Sequence, residues 1–98
     1  MANVTCYVNA STHLELKCPR GGRDFLQIEN CSGAVLYVRE DTPANADDGT
    51  PLDDKERMHW SRQIGDAVPQ GTVWIVGSAA APTMQRVLIK EQHIKVPG

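Results

Sequence analysis

The chain has 98 residues, of which ten are basic and twelve acidic, so its formal net charge is −2. Hydrophobic residues make up 41% of it, an ordinary share for a globular protein, which excludes a wholly disordered chain. The basic residues are spread from Lys17 to Lys95 without a dense run, which argues against a nucleic-acid partner. The length predicts one domain, residues 1–98.

Seven short runs with the patterning of β-strands follow one another along the chain. Two of them, residues 35–38 and 73–76, are apolar throughout and predict central strands that are buried on both faces or at an interface. In three others apolar and polar side chains alternate, which is typical of half-buried strands. Those three are residues 4–9, 13–17 and 26–29, and residues 56–60 and 85–90 complete the set.

Turn signals rich in Gly, Pro, Asn and Asp separate these runs at regular spacing, a pattern that favours a β-sandwich or barrel. One helix signal is present, because Thr42 can cap a helix that has Pro43 at its first position and Gly49 as its stop. We therefore predict an all-β, antiparallel, jelly-roll-like sandwich with at most one short helical turn near 43–48. Residues 92–98 lack a pattern and predict a C-terminal arm.

The cysteines and the start of the chain indicate the compartment. Cys6, Cys18 and Cys31 are odd in number and have no C-x-x-C spacing, which indicates reduced thiols and synthesis in a cytosol. The first residues have neither the basic start nor the apolar run of a targeting segment. Residues 67–85 are uncharged but are interrupted by Pro69 and Pro82, so we expect no membrane span.

No motif for catalysis, metal or cofactor binding is found. Aligning the acidic segment 47–54 with a calcium loop puts Ala44, Ala46 and Lys55 at ligand positions, so the pattern fails and a solvated turn is favoured. The three histidines are isolated in sequence, and no nucleophile motif occurs. We expect a protein that is not an enzyme and has no cofactor.

The aromatic residues leave a second function open. Trp60, Trp74, Tyr7 and Tyr37 could form a platform for stacking sugars, although each lies in an apolar run, which favours packing in a core or an interface. A carbohydrate-binding module, or a β-sandwich of a phage tail fibre or neck, is therefore the alternative function. It requires Trp60 or Trp74 to be exposed.

A family resemblance gives the first hypothesis for function. Residues 26–39 resemble a recurrent strand–turn–strand of small virion proteins, and residues 52–60, 73–77 and 85–90 continue the likeness. Over residues 3–91 the chain resembles the small jelly-roll cement, or decoration, proteins of tailed-bacteriophage capsids. The resemblance implies a sandwich that sits on the capsid exterior, forms a homodimer or homotrimer, and clamps neighbouring major capsid proteins. It carries no catalytic residue over to this chain.

The chain would then be made in the bacterial host cytoplasm and end up in the virion. Its candidate contacts with the partner are the acidic loop and the C-terminal tail. Strand count by itself does not distinguish a jelly roll from another Greek-key sandwich. The candidate contact residues are Asp47, Asp48, Asp53, Asp54, Gln92, His93, Ile94, Lys95 and Val96.

Overall fold

In the computed structural model the described residues are 2–43, 45–81 and 84–94. They form eight β-strands and one turn of 3-10 helix, Arg62–Ile64. The strands are β1 (Ala2–Val8), β2 (Leu14–Leu16), β3 (Arg23–Asn30), β4 (Leu36–Arg39), β5 (Thr50–Leu52), β6 (Arg57–Ser61), β7 (Val73–Val76) and β8 (Gln85–His93). In this part of the chain, no helix is long and apolar enough to cross a membrane.

The strands pair as two four-stranded antiparallel sheets. Sheet I has the order β1-β8-β3-β6, and sheet II has the order β2-β7-β4-β5. The pairs β1–β8, β2–β7, β3–β6 and β4–β5 are nested, so the chain is one long hairpin whose innermost connection joins β4 to β5. Rolling up this hairpin adds the pairs β3–β8 and β4–β7. The result is an eight-stranded jelly roll, and the predicted antiparallel sandwich is confirmed.

The hydrophobic core fills the space between the two sheets. Successive side chains of a strand point to opposite faces, so Leu26 and Ile28 of β3 face inward, and both are fully buried. The runs predicted as central strands, β4 and β7, do lie inside sheet II. The buried core residues are Val8, Leu26, Ile28, Leu36, Val38, Leu52, Val68, Val73, Ile75, Val87 and Ile89.

Strand β5 is missing from the sequence-based prediction, which treats the whole segment 47–54 as a turn. Pro51 lies opposite Tyr37 at the edge of sheet II. An edge strand tolerates proline because its outer side needs no N–H donor. Leu52 is only 4% exposed, so its burial in the core holds this short strand in place.

The helical turn lies elsewhere than expected, and β8 extends into the first residues of the predicted C-terminal arm. The described residues near 43–48 form bends and a turn, because Asp47 adopts a left-handed φ of 61° and its N–H donates to the Gly77 carbonyl (3.2 Å). The helical turn is instead at Arg62–Ile64. Of the predicted arm, Gln92 and His93 pair with β3 as part of β8, and residues 95–98 lie outside the described residues.

Candidate functional site

A buried arginine ties together the end of the sandwich at which β3 begins. Arg23 is fully buried, and its guanidinium makes four hydrogen bonds. Nε donates to the Glu91 carboxylate (2.6 Å), and the terminal nitrogens donate to the carbonyl oxygens of Pro69 (2.9 Å), Gly71 (2.6 Å) and Leu16 (2.8 Å). The paired charge therefore serves to join β2, β8 and the β6–β7 connection to β3.

Two buried amide side chains organise the opposite end of the sandwich. Asn30 Nδ2 donates to the carbonyl oxygens of Ala34 (2.7 Å) and Leu52 (2.8 Å). Gln85 Nε2 donates to the carbonyl oxygen of Val35 (2.8 Å). These contacts satisfy the polar groups of loops that would otherwise be buried without partners, so both amides have a structural role. The sequence pattern pointed to neither of them, nor to Arg23.

The structure divides the acidic candidate residues into two separate turns, because β5 runs between them. In the first turn, the Asp47 carboxylate accepts the N–H of Ala79 (3.3 Å), and Asp48 forms an ion pair with Arg39. Both aspartates thus help to fasten the β4–β5 connection to its neighbours. The acidic loop of the sequence analysis is therefore divided between two turns.

The second turn lies beyond β5. The Asp54 carboxylate accepts the N–H of Gly33 (2.8 Å) and so links this turn to the β3–β4 loop. The carbonyl oxygen of Asp53 accepts the N–H of Glu56 (3.0 Å), and its side chain is exposed. Of the four aspartates, Asp47 and Asp53 are the more exposed.

The C-terminal candidates lie at the end of sheet I where β1 begins. Gln92 and His93 are exposed residues of β8, and His93 Nε2 lies 3.0 Å from the Glu91 carboxylate. The N–H of Ile94 donates to the carbonyl oxygen of Gly22 (3.0 Å). Lys95 and Val96 lie outside the described residues.

The two tryptophans do not form one platform. Trp60 of β6 pairs with Leu26 and packs half-buried against the core. Trp74 of β7 follows the core residue Val73, so it lies on the outer face of sheet II, also half-buried. The rings therefore belong to opposite sheets and different faces.

A cleft of about 370 Å³ opens beside Trp60, where β6 of sheet I faces the end of β4 and the start of β5. Its walls combine apolar and charged groups. Arg39 contributes a buried Nε that has no hydrogen-bond partner among the described residues. The residues that matter for its chemistry are Met58, Trp60, Arg39, Glu40, Asp41 and Thr50.

A second cavity, of about 450 Å³, lies at the end of the sandwich where β3 ends. It contains Cys31, whose Sγ lies 3.7 Å from the Glu29 carboxylate, together with Lys55 and Arg86. Within the described part of the chain, no three His, Cys, Asp or Glu side chains are close enough to share a metal ion.

The side of the sandwich formed by β1 and β2, here called the β1/β2 side, exposes apolar side chains. Val4 is 50% exposed and Tyr7 is 55% exposed. Cys6, Leu14 and Leu16 pack against the core but are covered only in part. The sequence feature that indicates this apolar side is that β1 has no charged residue.

No family model, curated protein or solved structure matches the chain. The fold and these surfaces therefore support the functional proposals.

Proposed function

We propose that the chain is a structural virion protein that binds the outer surface of a tailed-phage capsid and stabilises the shell by clamping neighbouring major capsid proteins. The observation that carries this proposal is the strand order of two sheets made from one rolled hairpin. Jelly rolls recur in viral capsid and lectin domains. Because a fold hosts several functions, this support is analogy, and the resemblance of residues 26–39 to virion proteins adds to it.

The use of polar groups inside the molecule agrees with a structural role. Arg23, Asn30 and Gln85 are fully or almost fully buried, and their hydrogen bonds hold strand ends and loops. A nucleophile or a general base needs a group that is free to react with a substrate. These three side chains instead satisfy the backbone of the same chain.

The surface also suits an assembly. Uncharged apolar side chains are exposed on the β1/β2 side, and contacts with other proteins are the ordinary use of such a surface. A shell gains strength when many copies each add an interface of about 800 Å² per partner. Strand β8 ends at His93, beside the start of β1, and the residues that follow Ile94 are our candidate clamp on the capsid.

The test uses purified chain and DNA-free mature capsids of the phage that encodes it. We expect saturable co-sedimentation and a higher melting temperature of the capsid. A variant that ends at Ile94 tests the clamp. It should bind the capsid at least about tenfold more weakly, because it lacks the contacts made by the tail. Absence of binding by the intact chain, with unchanged capsid heat stability, contradicts the proposal.

The Trp60 cleft favours sugar binding as a second candidate function. An aromatic ring beside charged and hydroxyl groups provides an apolar surface with polar groups that fix orientation, and the Arg39 side chain lines the cleft beside the ring. A glycan array checks this, with Asp41→Asn and Trp60→Leu expected to abolish binding and Trp74→Phe to preserve it. Equal binding by all the variants, or none by the native chain, removes this candidate.

A further inference from the structure

We propose that a second copy of the chain covers the β1/β2 side, with β1 of each copy paired antiparallel across a two-fold axis. The proposal rests on the assembly role proposed above and names the partner that completes this surface. The joined β1 strands would turn sheet I into a continuous eight-stranded sheet.

Strand β1 lies at an unprotected edge of sheet I. This strand pairs with β8 through all seven residues, without a register shift. On its other side, no backbone hydrogen bond reaches it from the described residues. Edge strands are usually shielded from association by charge, proline, bulges or short length, and β1 has none of these features.

The other three edge strands of the two sheets have features that prevent them from pairing with another chain. Strand β6 carries Arg57 and an exposed His59, β5 carries Pro51 and has three residues, and β2 also has three residues. The contrast singles out β1 as the edge that is suited to pairing.

An apolar strip runs along the β1/β2 side. Val4 and Cys6 lie on the inner face of β1, in register with the core residues Ile89 and Val87. Leu14 and Leu16 of β2 extend the strip onto sheet II, and both remain partly exposed. A second copy would cover this strip with the same strip, which is what an isologous two-fold contact requires.

The register and the charge of β1 also favour pairing of two β1 strands. Pairing all seven residues of β1 with those of a second copy places Thr5 on the axis and Val4 opposite Cys6, so inner-face residues meet inner-face residues. Because β1 has no charged side chain, two identical strands can approach without like-charge repulsion.

The available area is sufficient for a dimer. Seven paired residues extend about 24 Å, and the molecule measures 21 Å in its thinnest direction. The contact would therefore bury about 500 Å² per copy, or about 1,000 Å² in total, at the lower limit for a specific interface. The C-terminal ends of the two β8 strands would then lie at opposite ends of the joined sheet.

The first experiment measures the mass of the free chain by sedimentation equilibrium over a range of concentrations. We expect a dimer with twice the mass of the chain. Thr5→Lys places two ammonium groups on the axis and should raise the dimer dissociation constant at least about tenfold. His59→Lys adds the same charge to the opposite edge and should leave dimerisation unchanged. Thr5 is exposed, and thermal melting confirms that each variant is folded.

The second experiment tests the register by disulfide formation in a Cys18→Ser, Cys31→Ser background. With Val4→Cys added, we expect covalent dimers through Cys6 of the second copy under mild oxidation, because opposed residues in antiparallel strands have Cα spacings that allow a disulfide. His59→Cys in the same background is the control and should give no more covalent dimer than the background alone.

A chain that stays monomeric at all concentrations overturns this proposal, even if it binds capsids. A Thr5→Lys variant that dimerises like the native chain also overturns it. Dimers that form through Val4→Cys but never bind capsids support this proposal and contradict the capsid function, so the two failures can be told apart.

Discussion

At the scale of single residues, the polar groups inside this small domain decide how its ends are built. Arg23 is fully buried, and its partner Glu91 is 19% exposed at the side chain. Removing one member of a buried pair leaves the other charge without compensation, which costs far more than losing an exposed pair. The backbone carbonyls that Arg23 satisfies would lose their donor as well.

Replacement of this arginine is therefore expected to be severe. Arg23→Met should lower the free energy of unfolding by about 4 kcal/mol, and Arg23→Lys should lower it less, because one ammonium keeps the charge but cannot reach all four acceptors. Urea denaturation followed by tryptophan fluorescence measures both changes.

The matched control is another arginine in an ion pair. Arg62 lies 3.6 Å from the Asp24 carboxylate, and its side chain is 55% exposed. Arg62→Met should cost less than about 1 kcal/mol, because solvent screens exposed pairs. Similar losses for Arg23→Met and Arg62→Met would contradict the role assigned to burial.

A partly buried thiol gives the stability a dependence on pH. Burial raises the pKa of the Cys6 thiol, so the folded chain holds this proton more tightly than the unfolded chain does. Its contribution is fully present below the pKa of the unfolded thiol, about 8.5, and is lost as the pH rises through the higher folded pKa. Urea midpoints from pH 7 to 10 should fall more steeply for the native chain than for Cys6→Ala. Parallel curves would show that Cys6 makes no such contribution.

At the scale of elements, a close backbone contact fixes the β1–β2 turn against the end of β7. A Cβ atom on Gly77 would lie 2.3 Å from the carbonyl oxygen and 2.4 Å from the carbonyl carbon of Asn9. Both distances are shorter than any real contact of this kind. The turn can approach so closely only because residue 77 has no side chain.

Adding one methyl group at this position tests the contact. Gly77→Ala should destabilise the fold by about 3 kcal/mol, because backbone rather than a flexible side chain would have to move. Gly71→Ala is the control, since its Cβ would meet nothing within 4 Å. Thermal melting compares the two variants, and equal melting temperatures would mean that the β1–β2 turn can shift freely.

At the scale of the whole molecule, the nested pairing joins the two ends of the described chain. Strands β1 and β8 pair with each other although they are the first and last elements. Among the described strands, only the β4–β5 pair joins strands that follow one another directly in the chain. Long-range pairing of this kind pays loop-closure entropy before the contacts form, and it slows folding.

Refolding kinetics should reflect that topology. We expect refolding from urea with a time constant of milliseconds to seconds, as in other β-sandwiches, measured by stopped-flow fluorescence of Trp60 and Trp74. Rates that do not change with protein concentration would separate folding from dimer formation. A phase complete within microseconds would contradict the expectation.

The sequence by itself determined the fold class of this protein and most of its strands. Alternation with a period of two depends only on neighbouring residues, so runs such as 4–9 and 26–29 identified β1 and β3 from local pattern. The short strand β5 was not predicted, because Pro51 and the flanking aspartates have turn propensity. Only burial of Leu52 in the core overrides this propensity.

Only the tertiary structure decided how these strands pair and which surfaces they create. The burial of Arg23, the separation of Asp47 from Asp54 and the free edge of β1 all depend on strands that are distant in sequence. Pairing is a non-local choice, made by packing of the whole core, and the local pattern does not encode which strand lies beside which. The sequence revealed that β1 is uncharged, and the fold determined that it lies at an edge.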